Sequence, residues 1–316
     1  MRGVEAVGAV TMNFRKHKLW AITRRLILDP TRRAAVKLSH PHHVPLSWCV
    51  GQNWGDALSP VLVELLSGKS VIHLAGIHHD RYLCIGSILG SANERSIVWG
   101  SGFIRENETV VGPPRSVHAV RGPLSRDSLQ RRGIDCPEVY GDPALLFPSF
   151  YDPSVAKRYE VGIVPHYVDK ARPWLEKYRG DSKVAVLDIE AGVEEFVRSI
   201  KACEVVISSS LHGLICADAY GVPNVWVQFS DEVVGGDFKF RDYRLSIGAD
   251  EPRPIRIHSE TKLEDAVEKA KQHDIQLDLQ KLLLSCPFLS EQVRLQWQHK
   301  AATASVESAV GRESTE

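Results

Sequence analysis

The stretch Val205-Val-Ile-Ser-Ser-Ser-Leu-His-Gly-Leu-Ile-Cys-Ala-Asp-Ala-Tyr-Gly-Val-Pro223 is the place where residue types and spacing point most directly to chemistry. An apolar strand runs into Ser208, Ser209 and Ser210, and a helix follows at once. Serine there is a natural N-cap. Helix N-termini present unpaired N–H groups and the positive end of the helix dipole, so the turn is suited to an anion. His212 falls in the first helical turn and exchanges protons near neutral pH. Gly213 omits a side chain where a ligand approaches, and Gly221-Val-Pro223 closes the helix. The plainer reading is a capped helix with a packed histidine. The strand-to-helix turn beside three serines favours a functional one.

Five further segments carry the same logic. Val120-Arg-Gly-Pro-Leu-Ser-Arg126 sets Arg121 between a strand and a helix, where a planar guanidinium can fork a phosphate or carboxylate. Gly235-Gly-Asp-Phe-Lys-Phe-Arg-Asp-Tyr243 combines a double glycine with Lys239 and Arg241 among aromatics, or else forms a helix capped by Asp237. Gly51-Gln-Asn-Trp-Gly-Asp56 is a glycine loop able to cradle an anion or a sugar, with Asp56 opening the next helix as a reactive carboxylate or only as its N-cap. It is neither a Walker motif nor a dinucleotide fingerprint. Gly100-Ser-Gly102 and Gly141-Asp142-Pro143 add a second glycine turn and a second carboxylate.

The elements that position these residues alternate between short apolar runs and amphipathic stretches. Strands are expected at 47–50, 71–74, 82–85, 97–99, 116–120, 160–164, 183–187, 205–208 and 224–227. Helices are expected at 57–66, 123–131, 171–178, 193–202 and 211–220. Such alternation predicts α/β units with mostly parallel sheets. Prolines near 141–153 interrupt it. The expected organisation is a basic extension at 1–45, an α/β domain at 46–150, a second at 151–298 with trailing helices over 260–298, and a disordered tail at 299–316. Two Rossmann-like halves then face a cleft, with ligands beyond the carboxyl ends of their strands.

Composition excludes several classes. Lys and Arg total 39 and Asp and Glu total 39, so no net field marks a nucleic-acid partner. The six cysteines form no C-x-x-C pair and read as buried free thiols, without metal-ligand spacing. No apolar run of membrane-spanning length and no secretory signal is visible, so the expected location is the cytoplasm. The basic residues of 1–38, interleaved with Leu19, Trp20, Ile22, Leu26 and Ile27, suit either peripheral contact with the inner face of the cytoplasmic membrane or a solvated or packed extension.

Asn53-x-Gly55-Asp56, Trp99-Gly-Ser-Gly102, Arg121-Gly-x-x-Ser125, Gly141-Asp-Pro143, Ser208-x-x-Leu-His-Gly213 and Phe238-Lys-x-x-Asp-Tyr243 together resemble the polysaccharide pyruvyl transferases, over residues 48–248. Within that family the chain is most similar to the type that pyruvylates rhizobial exopolysaccharides such as succinoglycan. The resemblance implies a glycosyltransferase-B-like pair of domains. It also implies phosphoenolpyruvate as co-substrate, no cofactor or metal, and a saccharide acceptor that is free or lipid-linked. His212 becomes the acid or base. Arg121, Ser208, Ser209, Ser210, Gly213, Lys239 and Arg241 fall on the donor side. Asn53, Gly55, Gly102 and Asp142 fall on the acceptor side, where Asp56 holds or deprotonates a hydroxyl. Many members carry arginine directly before Leu-His, where this chain has Ser210. Lys239, Arg241 or the serine turn must then hold more of the donor's charge. Two rivals share the architecture: a glycosyltransferase using a nucleotide sugar, and a non-catalytic glycan-binding protein.

Overall fold

A computed structural model describes residues 43–51, 53–76, 78–249 and 253–299. The basic segment 1–38 and the tail 301–316 lie outside the described residues. The described residues form one compact unit.

Among the described residues, ten strands build two five-stranded sheets, parallel at every pairing. In the first half they are β1 (Val44–Ser47), β2 (Val71–His73), β3 (Arg81–Leu83), β4 (Ser96–Trp99) and β5 (Ser116–Ala119). In the second they are β6 (Tyr159–Val164), β7 (Val184–Val186), β8 (Cys203–Ser208), β9 (Asn224–Gln228) and β10 (Ile255–Arg256). The first sheet runs β2-β1-β3-β4-β5 and the second β7-β6-β8-β9-β10, the same order repeated. Each sheet therefore reverses its winding once, between β1 and β3 and between β6 and β8. In open α/β sheets the crevice beyond such a reversal receives ligands, because adjacent connections leave toward opposite faces there.

The helices are α1 (Trp54–Ser67), α2 (Pro123–Gln130), α3 (Pro173–Glu176), α4 (Val193–Lys201), α5 (Leu211–Ala219), α6 (Phe238–Ser246), α7 (Leu263–Val267) and α8 (Leu279–Leu284), with a further helical stretch over 291–299. One apolar cluster crosses both halves. Trp54 on α1 lies 5.9 Å from the Phe196 ring on α4, and its indole N–H donates to the Val193 carbonyl at 3.1 Å.

Two expectations need correction. The first strand begins at Val44 rather than at residue 47 and includes Pro45, a residue usually confined to sheet edges. Proline is tolerated because pairing with β3 starts only at Leu46. The region 260–298 is not continuously helical. Lys271 exchanges backbone hydrogen bonds with Asn224, and the Gln276 amide bonds the Ile247 carbonyl. These tertiary partners take backbone groups that a helix would need. The chain then returns to the first sheet, where Phe288 packs edge-on against Tyr82 and Trp99.

Candidate active site

The carboxyl ends of β1, β3, β6 and β8, the strands at both winding reversals, converge on one small cavity of about 100 Å³. After β1 come Cys49, Asn53 and Asp56, and after β3 comes Ser87. His166 and Tyr167 follow β6, Ser210, Leu211 and His212 follow β8, and Lys239 enters from α6.

His212 is held by its neighbours. Asn53, the N-cap of α1, accepts the Asp56 amide through Oδ1 at 3.2 Å, and its Nδ2 donates to Asp56 Oδ2 at 2.6 Å. The same Oδ1 lies 2.5 Å from His212 Nδ1. An amide N–H can only donate, so the Asn53 atom it meets is oxygen and His212 Nδ1 must carry the proton. Nε2 is then the lone-pair nitrogen. Nε2 lies 3.9 Å from Asp142 Oδ2, and neither atom has a hydrogen-bond partner. Burial pushes the imidazole pKa down to about 3, helped by the charges of Lys239, Arg121 and His166. His212 is thus a neutral base at physiological pH.

Gly55 makes this placement possible. A Cβ there would stand 2.4 Å from ring atoms of His212. Asp56, read from sequence as a reactive carboxylate or the cap, sits in the first turn of a helix that Asn53 caps. Its pKa rises to about 7, first through burial and then through the Asp142 charge, opposed by Lys239 and the Asn53 hydrogen bond. Burial likewise raises Asp142 to about 6, against the amide of Ala144 and the charge of Arg121. Lys239 falls to about 8 because it is buried and faces the Arg121 charge, while Asp56 acts in the opposite direction. Among the described residues lining the cavity, Lys239 is the only Lys or Arg.

The other residues singled out from sequence fall into two groups. Some serve the framework. Arg121 is fully buried. Its guanidinium contacts Asp242 Oδ2 at 2.9 and 3.1 Å, Ser87 Oγ at 2.7 Å and the Phe103 carbonyl at 2.6 Å. Asp242 also accepts from the Ser125 amide and hydroxyl at 2.9 and 2.7 Å. The expected fork for a donor anion is therefore committed to protein partners, and what reaches the cavity is its charge. Gly102 packs on that guanidinium, and Gly213 packs on Ser208 Oγ and Val164, so protein atoms occupy the room both glycines leave. Ser208 Oγ ties the turn together through the Ser210 backbone.

A second group lies beside the small cavity. Ser209 and Arg241 line a neighbouring hollow. Ser209 Oγ accepts the His166 amide at 2.8 Å and donates to buried Asp169 at 3.2 Å. Asp169 and the cavity residues His166 and Tyr167 escaped the sequence reading. The signal was present, since the apolar run Val161–Val164 leads into Pro165-His166 at a strand end, as β8 leads into Ser209. Burial, then the charge of Lys239, lowers the His166 pKa to about 4.

Residues 13–231 match the family described as polysaccharide pyruvyl transferase, more than half of the chain. The chain belongs to that family. It is 31% identical over 205 residues to an uncharacterized protein, L143, of Acanthamoeba polyphaga mimivirus, covering 62% of this chain and 71% of the relative. It is 26% identical over 197 residues to the succinoglycan biosynthesis protein ExoV of Rhizobium meliloti strain 1021, covering 59% of this chain and 60% of ExoV. The crystal structure of an uncharacterized Klebsiella pneumoniae protein aligns with 72% of this chain and 97% of its own, at 11% identity and a TM-score of 0.39. Membership of the pyruvyl transferase family supports pyruvyl transfer onto polysaccharide as the general role. Among the described residues of this family member, no cluster of metal-ligand type occurs, and no helix is long and apolar enough to cross a membrane.

Proposed function

We propose that the protein transfers the pyruvyl group of phosphoenolpyruvate to two hydroxyls of a hexose in an exopolysaccharide or its lipid-linked repeat unit, releasing phosphate and leaving a cyclic ketal. One observation carries the reading. Both winding reversals open onto a single cavity of about 100 Å³ that holds a cation, a neutral imidazole and a carboxyl of pKa about 7. That volume lies well below the ~300–1,000 Å³ typical of sites for larger ligands, which favours a three-carbon donor over a nucleotide sugar. The repeated strand order supports the finer likeness to two Rossmann-like units in a glycosyltransferase-B arrangement. The lipid-linked form of the acceptor and a membrane role for residues 1–38 rest on the sequence alone.

In this reading Lys239 and the N-terminus of α5, whose cap Ser210 makes no side-chain capping bond, hold the donor's carboxylate and phosphate. This arrangement supplies the charge that an arginine at the Ser210 position would bring. Asp56 in its protonated form gives a proton to the methylene carbon, which leaves the central carbon cation-like. One sugar hydroxyl attacks that carbon and loses its proton to Nε2 of His212. The bond between the central carbon and the bridging oxygen of the phosphate breaks, its electron pair leaving with the phosphate, as the second hydroxyl closes the ring, and the departing phosphate takes the second hydroxyl's proton. Solvent then returns the proton from His212 to Asp56. Asp142, 3.9 Å from Nε2, stabilises the transient imidazolium.

The test is phosphate release from phosphoenolpyruvate in the presence and absence of terminal glycosides. Release should require the glycoside and should disappear in His212→Ala while the circular dichroism spectrum is retained. Full activity in that variant, or turnover of a nucleotide sugar instead, ends the proposal.

A further inference from the structure

Beside the small cavity lies a hollow of about 340 Å³ at the carboxyl ends of the second sheet. Four segments contribute neighbouring residues to both spaces. Ser210 faces the small cavity and Ser209 the larger hollow. Ile104 is paired in this way with Glu106, Val234 with Gly235, and Lys239 with Phe238 and Phe240. The partition between them is narrow. Gly235, at φ +89°, lies so close to Ile104 that a Cβ would stand 2.1 Å from its carbonyl oxygen. A ligand in the larger hollow therefore sits one residue's width from a ligand in the smaller.

The chemistry of the hollow narrows what it takes. Trp226 and Phe240 stack at 4.4 Å and give it an apolar floor. Its cations are balanced by carboxylates: Arg256 Nη1 lies 3.3 Å from Asp231 Oδ1, which also accepts from Gln228 Nε2 at 2.9 Å. Glu106 and Asp237 add negative charge near Arg241. A diphosphate would meet carboxylates here, whereas an uncharged polyol finds donors, acceptors and an apolar face together. Resting on the pyruvyl-transfer reading, we infer that this hollow is the acceptor subsite and binds the uncharged terminal hexose of the glycan, presenting its hydroxyls across the Gly235–Ile104 partition to the donor. The acceptor thus approaches from the β9 and β10 side, not over the Asn53, Gly55 and Gly102 loops that the sequence suggested.

The experiment uses saturation-transfer NMR on the full chain, with phosphoenolpyruvate as one probe and the methyl glycosides of glucose, galactose and mannose as the others. Asp237→Trp fills the rim of the hollow from an exposed position whose side chain makes no capping bond. Arg241→Ala removes one wall. A glycoside signal lost in Asp237→Trp and weakened in Arg241→Ala, with the phosphoenolpyruvate signal retained, is the expected result. A glycoside signal that survives both changes, or no glycoside signal in the parent protein, overturns the subsite while leaving the donor reading intact. Absence of a phosphoenolpyruvate signal, with uridine diphosphate glucose binding lost in Asp237→Trp, overturns the pyruvyl-transfer reading itself.

Discussion

Replacing Gly55 by alanine tests the assignment of His212 without touching an ionisable group. The new methyl would meet imidazole carbons at 2.4 Å, where ordinary carbon contacts are ~3.5–4.0 Å, so ring and helix must separate by ~1 Å. The 2.5 Å bond from Nδ1 to Asn53 cannot survive that movement unchanged. A displacement of this size at a reacting group lowers turnover ~100-fold, equivalent to ~2.7 kcal/mol of barrier. Stability should move far less. Alanine gains ~1 kcal/mol of helix propensity over glycine, against ~1–3 kcal/mol for overpacking. The net effect is a loss of ~0–2 kcal/mol, or at most ~8 °C in Tm. The assay is glycoside-dependent phosphate release alongside a thermal melt. A folded Gly55→Ala protein with parental kcat would refute the idea that the imidazole must sit where Asn53 holds it.

Three further outcomes follow from the same geometry. Asp242→Asn leaves the fully buried Arg121 guanidinium without its counter-charge and should destabilise by ~3–5 kcal/mol, read by urea unfolding. If Asp56 donates the proton, the rate falls as pH rises through about 7, and Asp56→Asn is inactive at every pH. The folded carboxyl holds its proton up to about pH 7 and the unfolded one only to about pH 3.8, so this group favours folding more as pH falls between those values. Asp56→Asn should accordingly melt above the parent at pH 8 and level with it near pH 4. Lys239→Met should raise KM for phosphoenolpyruvate ~10-fold or more, the loss of one charge-assisted hydrogen bond, with little change in Tm. An unchanged KM would remove Lys239 from the donor site.

The alternation of apolar runs and amphipathic stretches locates nine of the ten strands among the described residues, because side-chain periodicity is a local property of the chain. It does not mark β10, which spans only Ile255–Arg256, and it sets the start of β1 three residues late, at 47 instead of Val44. His212, Asp56 and Lys239 were visible as chemistry-bearing residues beside strand ends or glycine turns. His166 stands at such an end too, after Pro165 where His212 follows serines.

Local pattern determined which residues stand at strand ends. It did not determine which ends meet. The contact between Asn53 and His212 spans 159 positions and the Arg121–Asp242 pair spans 121, separations at which no periodicity carries information. An arginine after a strand reads identically in one dimension whether it grips a ligand or a buried aspartate. Only the packing of α6 against the first sheet's loops decides that Arg121 is held by Asp242 while Lys239, three residues earlier on the same helix, faces the cavity. The physical reason is that side-chain direction follows from local backbone geometry, whereas a charge acquires its partner, its burial and its pKa only when distant segments close around it.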